Sequence, residues 1–531
     1  MSLLDINDLS VSYHSGNRSV AAVRGVSLQV QPGQVTAIVG ESGSGKSTSA
    51  MAAIGLLPDN ATIDAGTLHF EGQDVTAFDN AKWRQLRGKR IGLIPQDPNN
   101  SLNPLKTIGA SVEEGLAIHH LGTPESRRQR AIELLDRVGI DDPERRYAQY
   151  PHELSGGMKQ RVLIAATVAL EPDLIIADEP TSALDVTVQK IILDLLDEMR
   201  AENNIGLLFI THDLAVAGDR ADHIVVMEAG EVRESGLAAN VLVNPKHAYT
   251  QRLLADAPSL STIPPRRHRN AETLVEVDNL TQRYGDFTAV NDISFTVAKG
   301  TTHALVGESG SGKTTTGRSV ALFNNPTEGS IRVGGRDVVG LRGAKLRDER
   351  ANIQLVYQNP YSSLDPRRSI GDTIAEPLRN LRGANKATAR SKAKEFLELV
   401  ALDPDYYDRR PRELSGGQRQ RVAIARAMIV EPELVVLDEA VSALDVIVQA
   451  QILRLLDDLQ RELDLTYIFI SHDLAVVNQI ADTVSVLSHG NQVEYGPTRD
   501  VFSNPQSPFT QQLITAIPGS RYRGGDLNLG L

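Results

Sequence analysis

The feature that most constrains this chain is a long internal repeat. The segment Gly-Glu-Ser-Gly-Ser-Gly-Lys-Ser-Thr at residues 40–48 recurs with one change at residues 307–315. Leu-Ser-Gly-Gly at 154–157 recurs at 414–417, and further matching segments follow in the same order. The repeated unit is far longer than that of a solenoid, so the chain carries two copies of a whole domain.

The two copies predict two domains, at residues 1–257 and 273–531, joined by a linker at 258–272. The linker contains three prolines among small and charged residues, a composition that resists both helix and strand. With 531 residues, the chain is long enough for two large domains, each with its own hydrophobic core.

Composition excludes several classes of site and partner. The absence of cysteine excludes disulfides, thiolate zinc sites and iron–sulfur clusters. A formal net charge of −12 argues against nucleic acid as a partner, because such binding depends on Lys and Arg that neutralise phosphates. No run of about 18 apolar residues is present, and the first residues lack the pattern of a secretory signal. We therefore expect a chain that does not cross a membrane by itself.

Each copy alternates short apolar runs with segments typical of helices. Buried strands that alternate with helices indicate an α/β fold with a parallel sheet at its core. Long charged stretches, at about 80–170 and about 343–430, predict a helical subdomain inserted into each core. The apolar runs of strand length lie at residues 35–39, 174–177 and 207–210, and in the second copy at 434–437 and 467–470.

The glycine-rich repeat fits the pattern G-x-x-x-x-G-K-[ST], which binds phosphate groups. Its glycines let backbone N–H groups turn towards a phosphate chain at the positive end of the following helix. Lys46 and Lys313 are expected to reach the β- and γ-phosphates, and Ser47 and Thr314 to bind Mg²⁺. The predicted nucleotide-binding residues of the two loops are Gly40, Ser42, Gly43, Ser44, Gly45, Lys46, Ser47 and Thr48, and Gly307, Ser309, Gly310, Ser311, Gly312, Lys313, Thr314 and Thr315.

Two acidic residues end an apolar strand in each copy. A carboxylate at the C-terminal end of such a strand points into the crevice where α/β proteins bind ligands. Asp178 and Asp438 are predicted to hold Mg²⁺ through water, and Glu179 and Glu439 to polarise the attacking water. An acidic pair after a strand is by itself more often a helix cap, but downstream of a phosphate loop it indicates catalysis.

A serine and two glycines precede a helix in each copy, at 155–157 and 415–417. Taken alone, this pattern is that of an ordinary capped helix. A second helix N-terminus that can bind an anion in each copy suggests instead that a nucleotide is held between two surfaces.

With these motifs together, the chain resembles the ATP-binding cassette (ABC) ATPases over nearly its full length. The resemblance implies two P-loop cassettes in tandem, each with a parallel-sheet core, an N-terminal antiparallel β part and a helical subdomain. It identifies the glycine loops as Walker A and the acidic strands as Walker B, and it implies ATP and Mg²⁺ as ligands. Among the further residues that it implies, the nucleotide-binding ones are the signature residues Ser155, Gly156, Gly157, Ser415, Gly416 and Gly417, the D-loop residues Asp185 and Asp445, and the adenine-stacking candidates Tyr13 and Tyr284. The catalytic ones are the switch residues His212 and His472 and the Q-loop residues Gln96 and Gln358. The two glutamines are also implied as metal ligands.

The family arrangement implies that each ATP lies between the phosphate loop of one half and the signature of the other. Cleavage of ATP would then separate the halves, which is how a nucleotide switch works. Both halves keep the lysine, the glutamate, the signature and the histidine, so we expect two hydrolytic sites. Two departures from the family pattern, Met158 for glutamine and Ala440-Val441 for Pro-Thr, remove no catalytic group.

The segments after the two Q-loops and at the ends of the halves are similar to the oligopeptide, dipeptide and nickel importer branch of the family. This resemblance implies that the chain powers an importer for peptides or a related small solute. The implied partners are two transmembrane permease subunits and an extracytoplasmic solute-binding protein, with the chain on the cytoplasmic face of the cell membrane. The alternatives are a soluble ABC ATPase acting on ribosomes or DNA, a scaffold that binds ATP without hydrolysing it, and an exporter ATPase.

Overall fold

A computed structural model describes most of the chain. It covers residues 2–16, 18–181, 184–259, 272–442 and 444–519.

These residues form two compact units. One consists mainly of Met1–Leu184 and Val188–Leu260, and the other mainly of Ser261–Ile517. Most of the predicted linker, residues 260–271, lies outside the described residues.

The strands of the first unit form two sheets, and their bounds are β1 (Leu4–Ser15), β2 (Arg18–Val30), β3 (Val35–Val39), β4 (Ala61–Phe70), β5 (Gln73–Asp74), β6 (Ile91–Ile94), β7 (Leu174–Asp178), β8 (Gly206–Thr211), β9 (His223–Glu228) and β10 (Glu231–Leu237). The order β2-β1-β4-β5 makes an antiparallel sheet. The order β10-β9-β3-β8-β7-β6 makes the second sheet, in which every strand except the edge strand β10 is parallel to its neighbours. The predicted antiparallel part and parallel core are both present.

The helices of the first unit are α1 (Lys46–Ala53), α2 (Asn80–Leu86), α3 (Pro98–Ser101), α4 (Ile108–Ile118), α5 (Pro124–Arg137), α6 (Pro143–Tyr147), α7 (Gly156–Val168), α8 (Val186–Asn203), α9 (Leu214–Arg220), α10 (Ala238–Val243) and α11 (Ala248–Asp256). Between β6 and β7 the described chain is helical, from α3 to α7, with one short 3₁₀ turn at Pro151–Glu153. No helix in the part of the chain that the structure describes is long and apolar enough to cross a membrane.

The second unit repeats this plan with strands β11 (Thr273–Tyr284), β12 (Phe287–Ala298), β13 (Thr302–Gly307), β14 (Glu328–Val333), β15 (Arg336–Asp337), β16 (Ile353–Val356), β17 (Leu434–Asp438), β18 (Thr466–Ile470), β19 (Thr483–Ser488) and β20 (Asn491–Pro497). Its helices are α12 (Lys313–Val320), α13 (Gly343–Asn352), α14 (Pro360–Ser363), α15 (Ile370–Arg382), α16 (Lys386–Leu399), α17 (Gly416–Met428), α18 (Val446–Leu463), α19 (Leu474–Ile480), α20 (Thr498–Ser503) and α21 (Pro508–Thr515). The strand order matches that of the first unit, and one pair of β12 with β20 joins the two sheets into one.

The parallel core positions the functional segments. In the first unit β3 lies between β8 and β9, and β7 lies on the other side of β8. All residues of β3, β7 and β8 are buried, which matches their continuous apolar runs. Because the carboxyl ends of parallel strands meet at one edge of a sheet, the loops after β3, β7 and β8 lie together. The α/β fold class predicted from the sequence is thus confirmed.

A glycine in the helical part of the first unit allows a close contact with an aromatic ring. A Cβ atom on Gly109 in α4 would overlap the ring of Tyr147, and Gly371 and Tyr407 repeat this contact in the second unit. We predict that Gly109→Ala destabilises the first unit by about 1–2 kcal/mol, because the overlap costs about 1–3 kcal/mol and the gain in helix propensity returns less than 1 kcal/mol.

The measurement is urea unfolding followed by the fluorescence of Trp83, the only tryptophan of the chain, which is buried in the first unit. Gly236→Ala is the control, since the nearest atom to its Cβ would be 3.5 Å away on Val241. An unchanged midpoint for Gly109→Ala would contradict the prediction.

Candidate functional site

The phosphate loop of the first unit runs from β3 to α1 and curls around its own lysine. Lys46 is 5% exposed, and its Nζ donates to the carbonyl oxygens of Gly40 at 2.7 Å and Glu41 at 2.8 Å. In the second unit, Lys313 donates to Gly307 at 2.8 Å and Glu308 at 2.7 Å. The loop therefore places a cation at the N-terminus of a helix, where two sources of positive potential act together.

Glycine is required at the last position of each loop. Gly45 precedes α1 with φ 96°, and Gly312 precedes α12 with φ 98°, in the left-handed region that other residues rarely adopt. A Cβ atom on Gly45 would lie 2.6 Å from the carbonyl oxygen of Ala22. The glycine thus lets the loop pass close to a neighbouring strand.

A buried serine hydroxyl in each loop fits a phosphate ligand. The Oγ atoms of Ser44 and Ser311 are buried, and they have no hydrogen-bond partner among the described residues. A buried hydroxyl without a partner is costly, so it marks a place where a ligand oxygen can accept a hydrogen bond.

The hydroxyl and the aspartate that are predicted to hold Mg²⁺ are adjacent in both units. Ser47 Oγ donates to Asp178 Oδ1 at 3.0 Å, and Thr314 Oγ1 donates to Asp438 Oδ1 at 3.0 Å. Burial raises the pKa of each aspartate, against the lowering effect of the hydroxyl that donates to it. A hydroxyl and a carboxylate are hard oxygen ligands of the kind that Mg²⁺ prefers, so the donor set fits this ion.

One carboxylate oxygen of the glutamate after β7 contacts two side chains. Gln96 Nε2 donates to Glu179 Oε2 at 2.9 Å, and His212 Nδ1 lies 3.2 Å from the same atom. In the second unit, Gln358 donates to Glu439 Oε2 at 2.8 Å, and His472 Nδ1 lies 3.4 Å away. The structure thus brings the predicted glutamine, glutamate and histidine together within each unit.

These contacts set the charge of both partners. Burial alone would raise the pKa of Glu179, but His212, Lys46 and Gln96 outweigh it, and the pKa lies below its usual value. Burial would lower the pKa of His212, but Glu179 and Asp213 raise it above its usual value. Glu439 and His472 shift in the same directions. Each site therefore holds an ionised carboxylate beside an imidazole that is easily protonated.

The backbone at the glutamates is unusual for residues with a side chain. Glu179 has φ 46° and Glu439 has φ 47°. The N–H of Glu179 donates to the carbonyl oxygen of Ile210 at 2.9 Å, and that of Glu439 donates to Ile470 at 3.1 Å. Such conformations cost free energy and are concentrated at functional sites, where surrounding contacts hold them.

The two signature serines each cap a helix, with one difference between them. Ser155 Oγ accepts from the N–H of Met158 at 3.4 Å, and Ser415 Oγ accepts from Gln418 at 3.3 Å. Only the second cap is reciprocal, because the side chain of Gln418 accepts from the N–H of Ser415 at 2.9 Å and methionine has no such acceptor. Both serines are exposed at the start of their helices.

The glycines that follow these serines lie at the N-termini of α7 and α17. A Cβ atom on Gly157 would lie 2.8 Å from Val188 in α8, and one on Gly417 would overlap Val448 in α18. The first glycines are less crowded. A Cβ atom on Gly156 would have no neighbouring atom within 4 Å, and one on Gly416 would lie 3.8 Å from the hydroxyl of Tyr361. The second glycine of each signature is thus required by packing.

The tyrosine candidates differ between the units. Tyr13 lies beside the phosphate loop, with its hydroxyl 3.3 Å from Thr48 Oγ1. Tyr284 is 51% exposed and accepts a hydrogen bond from Asn324. The D-loop aspartates Asp185 and Asp445 directly precede α8 and α18, and Asp445 caps its helix through Val448 at 3.0 Å. The predicted roles of all four residues stay predictions.

Sequence reasoning missed a contact at the first loop. The hydroxyl of Tyr249 in α11 accepts from the N–H of Glu41 at 3.2 Å. The two residues are 208 positions apart, and no local pattern signals their contact.

Fold and sequence motifs together define a P-loop ATP-binding protein with two copies of the phosphate-loop motif. A family model described as "ABC transporter" matches residues 23–182 and 290–442. A second model, "Oligopeptide/dipeptide transporter, C-terminal region", matches residues 493–527. The chain belongs to the ABC transporter family as an ATP-binding protein that hydrolyses ATP.

Curated relatives match over nearly the whole chain. The chain is 44% identical to the peptidoglycan transport ATP-binding protein YejF of Agrobacterium fabrum, over 97% of this chain and 96% of the relative. It is 41% identical to the glutathione import ATP-binding protein GsiA of Salmonella choleraesuis, over 97% and 89%. A solved dimeric ATP-binding cassette with ADP and phosphate is 30% identical and covers 44% of this chain and 98% of its own, with a TM-score of 0.41.

The pairing of His212 with Glu179 predicts a measurable pH dependence. We expect the pKa of His212 to lie above its ordinary value of about 6.5 and to fall in Glu179→Gln, where Asp213 remains to oppose the effect of burial but the larger contribution of Glu179 is lost. The stabilisation that this histidine gives to the folded state is full below its unfolded pKa. It is lost as the pH rises through the higher folded pKa.

NMR titration of histidine-labelled protein, with His212→Asn for assignment, measures this shift. His223 is the control, because burial alone lowers its pKa and Glu179→Gln should leave it unchanged. A His212 pKa that is the same with and without the Glu179 carboxylate would contradict the prediction.

Proposed function

We propose that this chain hydrolyses ATP at both sites to power a binding-protein-dependent importer of peptides or a related small solute. The match of residues 493–527 to the oligopeptide/dipeptide transporter C-terminal region carries the peptide assignment. The relatives' names point to small solutes of the same kind, since glutathione is itself a short peptide.

The residues of each site support hydrolysis by positioning and charge, which are the main needs of phosphoryl transfer. Lys46 supplies a cation at the phosphate loop. Glu179, kept ionised by its neighbours, can orient the attacking water and accept its proton. Gln96 and His212 hold that carboxylate. We propose that His212 also contacts the γ-phosphate.

We propose that Ser47 and Asp178, and equally Thr314 and Asp438, hold Mg²⁺ at these sites. When bound, the ion neutralises the charge that develops on the phosphates. The predicted contribution of Gln96 and Gln358 to the metal remains a proposal, as does the pairing of each loop with the signature of the other half. We also retain the predicted domains at 1–257 and 273–531 as the two nucleotide-binding domains.

An importer requires partner proteins, because an ATP-hydrolysing subunit does not by itself form a path for a solute across a bilayer. We propose that two permease subunits form the path and that an extracytoplasmic solute-binding protein delivers the solute. The chain then works at the cytoplasmic face of the cell membrane.

Two competent sites predict similar effects of the matched variants Glu179→Gln and Glu439→Gln. Each variant should lower the rate of phosphate release from ATP, and the double variant should lower it by about 10²-fold or more, because the water loses its base. Glu144→Gln, on the exposed surface of α6, is the control and should leave the rate unchanged. Full activity in one single variant and none in the other would contradict two competent sites.

The importer function predicts that the tagged chain, purified from detergent-solubilised membranes, carries two hydrophobic subunits with it. In proteoliposomes with those subunits and the binding protein, ATP inside should drive uptake of labelled short peptides. The Glu179→Gln, Glu439→Gln double variant should assemble but not transport. Recovery with ribosomes instead of membrane subunits, or outward transport only, would overturn the proposal.

A further inference from the structure

The peptide group between Gly40 and Glu41 is held from both ends. Its carbonyl oxygen accepts from Lys46 Nζ at 2.7 Å, and its N–H donates to the hydroxyl of Tyr249 at 3.2 Å. This peptide opens the phosphate loop, directly after the central strand β3. Hydrogen bonds at the two ends of one peptide polarise it in the same sense, so each strengthens the other.

The tyrosine is itself held in place. Tyr249 is 5% exposed and lies in the first turn of α11. The carboxylate of Glu234 in β10 accepts the N–H groups of Lys246 at 2.9 Å and His247 at 3.1 Å, directly before this helix. His247 Nδ1 then accepts from the N–H of Tyr249 at 3.2 Å. The hydroxyl thus reaches the loop from a rigid support rather than from a mobile side chain.

The second unit repeats the glutamate of this support but has neither the side-chain cap before its helix nor the hydroxyl. Glu494 accepts the N–H groups of Gln506 at 2.8 Å and Ser507 at 3.1 Å, as Glu234 does in the first unit. The residue that follows at the position of Tyr249 is Phe509, which packs partly buried against the core. Phenylalanine has no group that accepts a hydrogen bond from the loop.

We propose that Tyr249 is a positioning residue that pre-organises the first phosphate loop for nucleotide, so that the two sites of this chain differ in nucleotide affinity. When Lys46 turns from the loop carbonyls to the phosphates, Tyr249 keeps the peptide in place. The ordering cost of the loop is then met before the nucleotide arrives, and the first site binds more tightly than it would without the hydroxyl. This inference rests on the proposed function, since it concerns the same ATP sites.

The test measures each site separately in the full chain, with ADP as the probe in titration calorimetry. Lys313→Ala disables the second site, so that ADP binding to the first site is measured alone. Lys46→Ala disables the first site in the same way. Tyr249→Phe should weaken ADP binding at the first site roughly twofold to tenfold, which is the net value of one hydrogen bond, and leave the second site unchanged. With both lysines present, KM for ATP should rise while kcat stays within about twofold.

Two controls separate positioning from packing and folding. Phe509→Leu changes the aromatic at the matched position of the second unit and should leave ADP binding there unchanged. Trp83 fluorescence should show cooperative unfolding of Tyr249→Phe, with a loss of stability no larger than the net value of one hydrogen bond. Equal affinity at the first site with and without the hydroxyl would overturn the inference, as would a similar loss from Phe509→Leu. A parent that binds no ADP at either site would instead overturn the proposed function.

Discussion

The site in each unit depends on the side-by-side alignment of three parallel strands. Because β8 pairs with both β3 and β7, the phosphate loop after β3 lies within hydrogen-bond distance of the aspartate that ends β7. The bond from Ser47 to Asp178, at 3.0 Å, is the direct result. All residues of these three strands are buried, and shifting one strand along its neighbour would separate the loop from its carboxylate.

Burial and close neighbours then set the pKa values of the glutamate and the histidine in each site. Burial would raise the pKa of Glu179, but His212, Lys46 and Gln96 bring it below its usual value. Burial would lower the pKa of His212, but Glu179 and Asp213 raise it above its usual value. The second unit reproduces this balance with Glu439 and His472. The two sites therefore share their proposed catalytic groups. They differ in the cap of the signature helix and in the contact that Tyr249 makes with the first phosphate loop.

Much of this could be predicted from the sequence because the decisive patterns are local. The glycine loop must follow a strand and precede a helix, and the apolar run before Asp178 places the acid at a strand end, so order along the chain determined most of the site. The reciprocal cap at Ser415 was also readable, since a serine followed three residues later by glutamine predicts it. Tyr249 was not readable, because its partner is a backbone N–H brought close only by tertiary packing. Nor could the sequence distinguish Tyr13, beside Thr48, from the half-exposed Tyr284, since exposure depends on the surrounding fold.

The most direct test of this account is the number of nucleotides that one chain binds. Purified protein is titrated with a non-hydrolysable ATP analogue and Mg²⁺, and the bound analogue is counted at saturation by equilibrium dialysis. Two intact loops, each with its lysine, its hydroxyl and its aspartate, predict two molecules per chain, falling to one in Lys46→Ala or in Lys313→Ala. A single molecule bound to the unaltered chain, or none, would contradict the claim that both halves are complete ATP sites.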